Sequence, residues 1–190
     1  MARRLSRTVL LAAACMSASA ASPAEQCYRA TAEQGELLFD GVLEGTPFTG
    51  RFRRFTVDMC LDNDDLSTAN IHVAVDTGSG DTSNRQGNAA LRDEEFFDIA
   101  RFPEGTWTST TIRRDGDAYV AEGTLTVRDI SASVPVRLEL QPGDPPQLSG
   151  EAQLLRLDFQ VGTGEFEDTE FLRNRVDLRF RMLLEPVESQ

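Results

Sequence analysis

The sequence has no lysine and a single histidine, His72, and both shortages limit the chemistry open to it. Without lysine there is no side-chain amine for a Schiff base, and one histidine leaves few options for a general base. A histidine-rich metal site is excluded, and a Ser-His-Asp triad would have to use His72, which sits in an alternating segment as a solvated strand residue would. The motifs G-x-S-x-G, H-E-x-x-H and C-x-x-C and the P-loop are also missing. The sequence therefore predicts a protein that is not an enzyme and that holds no cofactor or metal ion.

Positive charge is scarce as well. The 19 basic residues are all arginine and are opposed by 31 acidic residues, which gives a formal net charge of −12. Nucleic acids are bound through basic patches that neutralise phosphates, so we expect no nucleic-acid partner. Anionic lipid headgroups also attract basic segments, so we do not expect the protein to dock on them through charge.

Long apolar runs are confined to the amino terminus. Residues 1–20 combine three arginines, a short apolar core and an Ala-Ser-Ala cleavage site, which is the pattern of a secretory signal peptide. Cys15 is preceded at the third position by Ala12 where a lipoprotein signal has leucine, so we expect cleavage without lipid anchoring. Residues 21–190 are then predicted to form one soluble domain, periplasmic or secreted, with no membrane-spanning segment.

Cysteine is rare, and loss of the signal peptide leaves only Cys27 and Cys60. In an oxidising compartment an even pair predicts a disulfide, which would staple the amino-terminal strand to its neighbour. Two free buried thiols are the alternative.

Most of the remaining chain alternates apolar and polar residues between turn signals. Long alternating segments that change phase, as at Arg53-Arg54, favour a curved, closed sheet with a bulge or sharp bend. We predict a mainly β protein, an extended antiparallel β-barrel of about eight strands and lipocalin-like, with a short helical insertion. The predicted strands are 36–44, 48–60, 69–76, 106–113, 118–128, 134–140, 147–159 and 176–182.

The segment Leu91–Thr111 is the predicted insertion. Its first residues have a helical register, with Leu91, Glu95 and Asp98 on one side, and Phe102-Pro103 and Gly105 break it before an alternating strand around Trp107. Such a junction is suited to plug one end of a barrel.

Aromatic residues exceed what a small barrel needs to fill itself. A pocket lined by rings with a few polar groups at its mouth is typical of a lipid site, although the same rings could simply pack against one another. We therefore predict an apolar cavity capped by the Leu91–Pro103 junction, with Arg92 or Ser109 available to a headgroup.

Two short motifs suggest other functions. Asp76-Thr77-Gly78 after an apolar strand resembles the catalytic loop of aspartic proteases, but only one copy is present, so a protease would have to be a homodimer. The same tripeptide also makes an ordinary turn. Asp62-Asn63-Asp64-Asp65 is turn chemistry and lacks the glycine and distal glutamate of an EF-hand loop, so no calcium site is predicted.

Several motifs, in order and spacing, resemble those of the YceI-like proteins, also called polyisoprenoid-binding. They are Gly50-Arg51-Phe52 with Phe55 and Asp58, Leu91-Arg92 to Phe96-Phe97-Asp98, Phe102-Pro103 with Trp107 and Ser109, the run Gly123–Arg128, and Arg156 with Asp158, Phe159 and Gly162. The chain departs from the family pattern at Asp129-Ile130, where Gly-Val is usual, and at Gln160, where glycine is usual.

The resemblance implies a lipocalin-like barrel whose pore holds a long isoprenoid or fatty-amide chain, in a periplasmic or secreted protein. Our hypothesis is a non-catalytic carrier of an amphiphilic isoprenoid such as a polyprenyl lipid or quinone. The alternatives are the homodimeric protease and a self-packed cell-envelope interaction module, and the sequence leaves open whether the protein is a homodimer. The predicted ligand-binding residues are Phe39, Phe48, Phe52, Phe55, Leu91, Phe96, Phe97, Phe102, Trp107, Leu125 and Phe159.

Overall fold

The computed structural model describes residues 25–63 and 65–187. The predicted signal peptide, residues 1–20 with Cys15, lies outside these ranges. So does Asp64 of the acidic turn.

Thirteen β-strands account for most of the described residues, as expected for a chain rich in alternating segments. They are β1 (Glu25–Thr31), β2 (Gly35–Leu43), β3 (Thr46–Phe52), β4 (Phe55–Asp62), β5 (Asn70–Asp76), β6 (Gly80–Asp81), β7 (Glu104–Asp115), β8 (Ala118–Val127), β9 (Ile130–Ser133), β10 (Val136–Gln141), β11 (Gln147–Leu155), β12 (Arg175–Leu183) and β13 (Glu185–Val187). One α-helix, α1 (Arg85–Ala90), and four 3₁₀ turns complete the described elements, the turns being Leu66–Thr68, Thr77–Ser79, Arg156–Phe159 and Gly164–Phe166.

All strands pair antiparallel in one sheet, in the order β13-β1-β4-β5-β7-β8-β10-β11-β12-β2-β3-β6, with β9 added to β8. β3 and β4 lie far apart in this order, yet only Arg53 and Arg54 separate them in sequence. The sheet must therefore curl until its two flanks meet at this bend, which makes it a barrel. The predicted antiparallel, lipocalin-like β fold is confirmed, although thirteen strands replace about eight because bends divide long strands and short edge strands are added.

The bend at Arg53-Arg54 confirms the predicted change of phase. Phe52 faces the interior before it, and Phe55 is buried behind it. The turn Thr77–Ser79 fastens the bend, because the Ser79 carbonyl accepts from the Arg53 amide at 3.2 Å and the Ser79 hydroxyl accepts from the Arg54 amide at 3.1 Å. The bend is thus a hydrogen-bonded feature of the fold.

The predicted disulfide is confirmed. Cys27 of β1 and Cys60 of β4 stand directly opposite each other in the antiparallel pair, with Cα atoms 4.1 Å apart, and their sulfurs are bonded. It fastens the first described strand to the barrel.

A short helix is present, but it lies at Arg85–Ala90, before the predicted segment, which has no helix itself. α1 begins after Asn84, whose side chain accepts from the amides of Gln86 and Gly87 at 2.9 and 3.0 Å, and it ends at Ala90. The residues from Leu91 to Pro103 form successive turns, with Asp98 at a φ of 47°. Asp98 is buried beside Phe96, so the predicted sharing of one helical side by Leu91, Glu95 and Asp98 does not occur. Asn84 caps the helix and so fixes where it begins, and the left-handed backbone of Asp98 is incompatible with a helix through Leu91–Asp98.

Candidate functional site

An apolar cavity of about 110 Å³ lies inside the barrel. Its walls come from strands around the whole barrel, since β2, β4, β5, β7, β8, β10, β11 and β12 all contribute. The lining residues are Leu37, Phe55, Val57, Ile71, Val73, Val75, Gly105, Thr106, Trp107, Leu125, Val134, Val136, Leu138, Leu148, Ala152, Leu178, Phe180 and Met182. Every second residue of a strand points to the same face, and the apolar positions of each alternating segment therefore meet here.

Trp107 is the most tightly held ring of the wall. It is 8% exposed, and its indole Nε1 donates a hydrogen bond to the Val134 carbonyl at 3.0 Å. A buried indole N–H needs such a partner. Because Trp107 is the only tryptophan of the chain, its fluorescence reports on the cavity alone.

Three of the predicted ligand-binding residues line the cavity, namely Phe55, Trp107 and Leu125. The other lining residues were not predicted as ligand-binding, and most are aliphatic. The signal that could have found them is the alternation itself, because the inward face of β5, with Ile71, Val73 and Val75, was already visible in the sequence.

Four other predicted residues form a chain of rings inside the barrel, towards the Leu91–Pro103 junction. Phe39 contacts Phe48 and Phe52 with ring centroids 6.5 and 5.2 Å away, and Phe52 contacts Phe97 at 6.0 Å. Leu91 lies beside them, since its side chain reaches Gly80, the register partner of Phe52. The predicted plug therefore exists, and it is aromatic.

The last three predicted residues lie elsewhere. Phe96 contacts Phe166 at 4.8 Å, Phe102 lies under the guanidinium of Arg101, and Phe159 is 2% exposed in the hydrophobic core. None of the three lines the cavity: Phe96 and Phe102 lie in the turns from Leu91 to Pro103, and Phe159 lies in the 3₁₀ turn Arg156–Phe159.

Two buried or half-buried arginines fasten this end of the barrel, Arg128 at the junction and Arg156 in the segment 161–173. Arg128 donates to the carbonyls of Phe96 and Gln160 at 2.7 and 2.5 Å, which links the junction to the loop after β11. Arg156 is 3% exposed, and its guanidinium donates only to backbone carbonyls, those of Val161, Gly162, Phe166, Leu172 and Arg173 at 2.5 to 3.2 Å. Burial lowers the pKa of Arg156, and the nearby charge of Glu167 opposes this shift.

The two side chains predicted to contact a headgroup, Ser109 and Arg92, make hydrogen bonds to the backbone of the protein itself. The Ser109 hydroxyl accepts from the Ile71 amide at 2.9 Å, next to the bulge in the β7–β8 pairing. Arg92 is exposed, and its Nε donates to the Gly78 carbonyl at 3.3 Å.

Asp81 is the main electrostatic anchor near the bend. Its carboxylate accepts from the Asn88 amide at 2.8 Å, the Ser83 backbone amide at 2.9 Å and the Arg53 Nε at 2.9 Å. These donors favour the charged form, the Asn88 bond most, and lower the pKa of Asp81 to about 2.

The Asp76-Thr77-Gly78 motif connects the bend at Arg53-Arg54 to the Leu91–Pro103 junction. The Asp76 carboxylate pairs with Arg54 at 2.8 Å, and the buried Thr77 hydroxyl donates to the Phe102 carbonyl at 2.8 Å. These contacts make the tripeptide a structural turn that joins β5 to the junction. His72 is exposed, with its Nδ1 3.0 Å from the Thr108 hydroxyl.

The described residues contain one group of three side chains close enough to share a metal ion, Glu25 with Cys27 and Cys60. Both sulfurs of that group are used in the disulfide. Within the same ranges, no helix combines the length and the apolar character needed to cross a bilayer.

Comparisons with known proteins agree with this fold. Residues 28–184 match the family model described as YceI-like domain. Protein YceI of Salmonella arizonae is 29% identical over 121 residues, which cover 60% of this chain and 63% of that protein, and Protein YceI of Salmonella newport has the same values. The chain thus spans less than two thirds of these curated relatives.

Solved structures show the same fold. BcnA of Burkholderia cenocepacia superposes with a TM-score of 0.74 at 24% identity, over 78% of this chain and 94% of BcnA. A polyisoprenoid binding domain from Saccharophagus degradans, implicated in plant cell wall breakdown, superposes with a TM-score of 0.64 at 14% identity, over 85% of this chain and 98% of that domain.

Proposed function

The chain belongs to the YceI-like domain family, and from that membership we propose that it binds a long apolar lipid inside its barrel without breaking any bond. The cargo we propose is an amphiphilic isoprenoid, such as a polyprenyl lipid or a quinone. The polyisoprenoid binding domain of Saccharophagus degradans, which has the same fold, supports this class of cargo.

The observation that carries the proposal is the apolar cavity, whose walls come from strands all around the barrel. Burial of apolar surface is favourable by about 0.8 kcal/mol for each CH₂ group, so one five-carbon isoprene unit would contribute roughly 4 kcal/mol. Since the walls offer little hydrogen bonding, the tail of the cargo is recognised by shape and apolarity.

The size of the cavity adds a condition to the proposal. At about 110 Å³ it is smaller than the roughly 150 Å³ engineered cavity that accepts a benzene molecule. A chain of several isoprene units therefore has to displace side chains, and the half-buried Phe52 and Phe97 between the cavity and the junction are the ones we propose to move. The remaining predicted ligand-binding residues, Phe39, Phe48 and Leu91, would contact the cargo only along this extended path.

The protein is proposed to work outside the cytoplasm, in the periplasm or after secretion. The Cys27–Cys60 disulfide supports an oxidising compartment, and residues 1–20 have the pattern of a signal peptide. Residues 21–190 would then be the mature domain.

The small cavity favours a second candidate, a self-packed interaction module whose interior admits no chain. Native mass spectrometry of protein purified from a bacterial periplasm, with lipid extraction, separates the two. Stoichiometric isoprenoid or long-chain amide supports the carrier. Protein that is lipid-free and takes up neither geranylgeraniol nor a short-tailed quinone supports the module.

A cavity-filling variant tests the location of the cargo. Ala152 lines the cavity, whereas Ala100 is exposed. We expect Ala152→Leu to weaken geranylgeraniol binding by about tenfold or more, because the added carbons occupy the space of the tail. Ala100→Leu is the matched control and should bind like the unmodified protein. Titration followed by Trp107 fluorescence measures both, and equal affinities would place the cargo outside the cavity.

A further inference from the structure

Four aromatic rings inside the barrel each lie over a glycine of a neighbouring strand. A Cβ atom added to these glycines would be 2.2 Å from Phe39 Cζ at Gly50, 2.6 Å from Phe48 Cζ at Gly41, 2.2 Å from Trp107 Cζ2 at Gly123 and 2.5 Å from Phe180 Cζ at Gly150. These distances are far below the roughly 3.5 Å at which carbon atoms first attract each other. Each ring therefore occupies the space that the glycine side chain would have taken.

The register explains why the rings lie along the wall. Phe39 and Gly50, Phe48 and Gly41, and Phe180 and Gly150 are direct partners across neighbouring strands, and Trp107 reaches diagonally to Gly123 from its partner Leu125. Both members of a direct pair point to the same face of the sheet, which here is the interior. Glycine lets the ring of its partner lie down against the backbone instead of standing up into the barrel.

Two of these pairs bear directly on the cavity, because Trp107 and Phe180 are part of its wall. The Trp107 ring is fixed by the hydrogen bond to Val134 at 3.0 Å, whereas Phe180 is half-buried and is held by apolar packing alone. Gly123 and Gly150 thus limit how far two of the three aromatic side chains of the wall project towards the barrel axis.

We infer that Gly123 and Gly150 are specificity-determining residues, which set the width of the cargo by keeping Trp107 and Phe180 against the wall. This inference rests on the proposed lipid-binding function. Once Phe52 and Phe97 have moved, the cavity accepts one extended chain of isoprenoid width and rejects a wider fused or substituted ring. An aromatic ring of the wall that moved inwards would take up a volume comparable to the cavity of about 110 Å³ and would therefore close it.

The first test pushes the Trp107 ring inwards, because the three atoms nearest to a Cβ added at Gly123 all belong to that ring, whereas a Cβ added at Gly150 would also lie 2.3 Å from the backbone oxygen of Arg137. Gly123→Ala should weaken binding of geranylgeraniol by about tenfold or more. Gly78→Ala is the control, because Gly78 lies outside the cavity wall and its added Cβ would meet no ring and no atom closer than 3.2 Å. It should bind within about twofold of the unmodified protein. Thermal unfolding and circular dichroism of both variants establish that they are folded.

The second test measures selectivity, which a general loss of stability does not change. Phe180→Ala widens the bore, so the affinity for retinol relative to geranylgeraniol should rise by about tenfold. Retinol carries a cyclohexenyl ring wider than an isoprenoid chain, and its polyene quenches tryptophan emission. Trp107 therefore reports its entry.

The outcomes separate the inference from the proposed function. If the unmodified protein binds neither probe, the lipid-binding proposal itself is wrong. If it binds geranylgeraniol and a folded Gly123→Ala binds equally well, the glycines do not set the width of the cavity. If Gly123→Ala does not fold, Phe180→Ala decides alone, and an unchanged selectivity ratio overturns the inference.

Discussion

Asp129 and Gln160 hold the left-handed backbone conformation, with φ of 60° and 55°. A side chain in this region costs roughly 1 to 2 kcal/mol, although aspartate tolerates it better than glutamine. These are the two positions at which the chain departs from the glycines usual in its family. The resemblance alone marked them as departures, and the φ values supply the physical reason for glycine there.

Replacing Gln160 by glycine should stabilise the protein. Relief of the left-handed strain outweighs the extra freedom that glycine gives the unfolded chain, and the net gain is about 0.5 kcal/mol. Because glutamine tolerates this conformation less well, Gln160→Gly should raise the melting temperature more than Asp129→Gly does. Differential scanning calorimetry of the two variants measures this order, and the reverse order would contradict the explanation.

Arg156 is a single residue that contributes strongly to the stability of the fold. Its guanidinium satisfies five carbonyl groups of the segment 161–173, and no single residue of another type offers five donors in this geometry. Arg156→Met should destabilise the protein by about 3 kcal/mol, because several buried carbonyls lose their partners together. Urea unfolding measures the loss.

Arg173 provides the matched control for Arg156. Its side chain is exposed, and only its backbone takes part in the cluster. Arg173→Met should change the free energy of unfolding by no more than about 0.5 kcal/mol. A similar loss in both variants would mean that removing any arginine from this region is harmful, whatever its buried contacts.

At the scale of elements, the bend between β3 and β4 depends on Asp81 of β6. The carboxylate binds Arg53 of the bend on one side and Asn88 of α1 on the other. It therefore joins the short helix, the two-residue strand and the bend into one support beneath the aromatic plug. Neither β6 nor this contact could be predicted from the sequence, because Gly80-Asp81 is too short to alternate.

Substitution of Asp81 should change how stability depends on pH. The pKa of Asp81 is lowered to about 2 in the folded protein. Its stabilising contribution is therefore complete above the unfolded pKa, near 4, and is lost as the pH falls through about 2. Asp81→Asn should lower the urea midpoint at neutral pH, and the difference from the unmodified protein should shrink below about pH 4 and vanish near pH 2.

Asp76→Asn is the control for this pH dependence. The side chain of Asp76 is 41% exposed and binds Arg54 of the same bend, so its loss tests a surface ion pair. Such pairs contribute little, and we expect a small effect on the midpoint. If the urea midpoints of Asp81→Asn and the unmodified protein differed by the same amount from neutral pH to about pH 2, the assigned role of the Asp81 carboxylate would be contradicted.

For the whole molecule, the sequence predicted the β class, the disulfide and the bend at Arg53-Arg54, because each depends on local pattern or on one cysteine pair. β9 and β13 were missed, since Ile130–Ser133 and Glu185–Val187 are only 4 and 3 residues long, too short for a clear alternating pattern. The cavity was predicted as a class of site, but three of its predicted residues line it and the others do not. Whether Phe39 lies over Gly50 or faces an open cavity depends on register between strands, which no local pattern contains.

The pairing of β2 with β12 has a consequence for how the barrel folds. Arg179 and Asp40 bind each other at 2.7 Å across a separation of 139 residues, and the flank formed by β2 and β3 gains its other neighbour only when β12 arrives. Contacts between distant parts of a chain form slowly, because a long loop has to close first. Until then the first hairpin keeps an unpaired edge on which other chains could add. Of the described barrel strands, only β13 follows β12 in the sequence, so the barrel can close only after β12 has been synthesised.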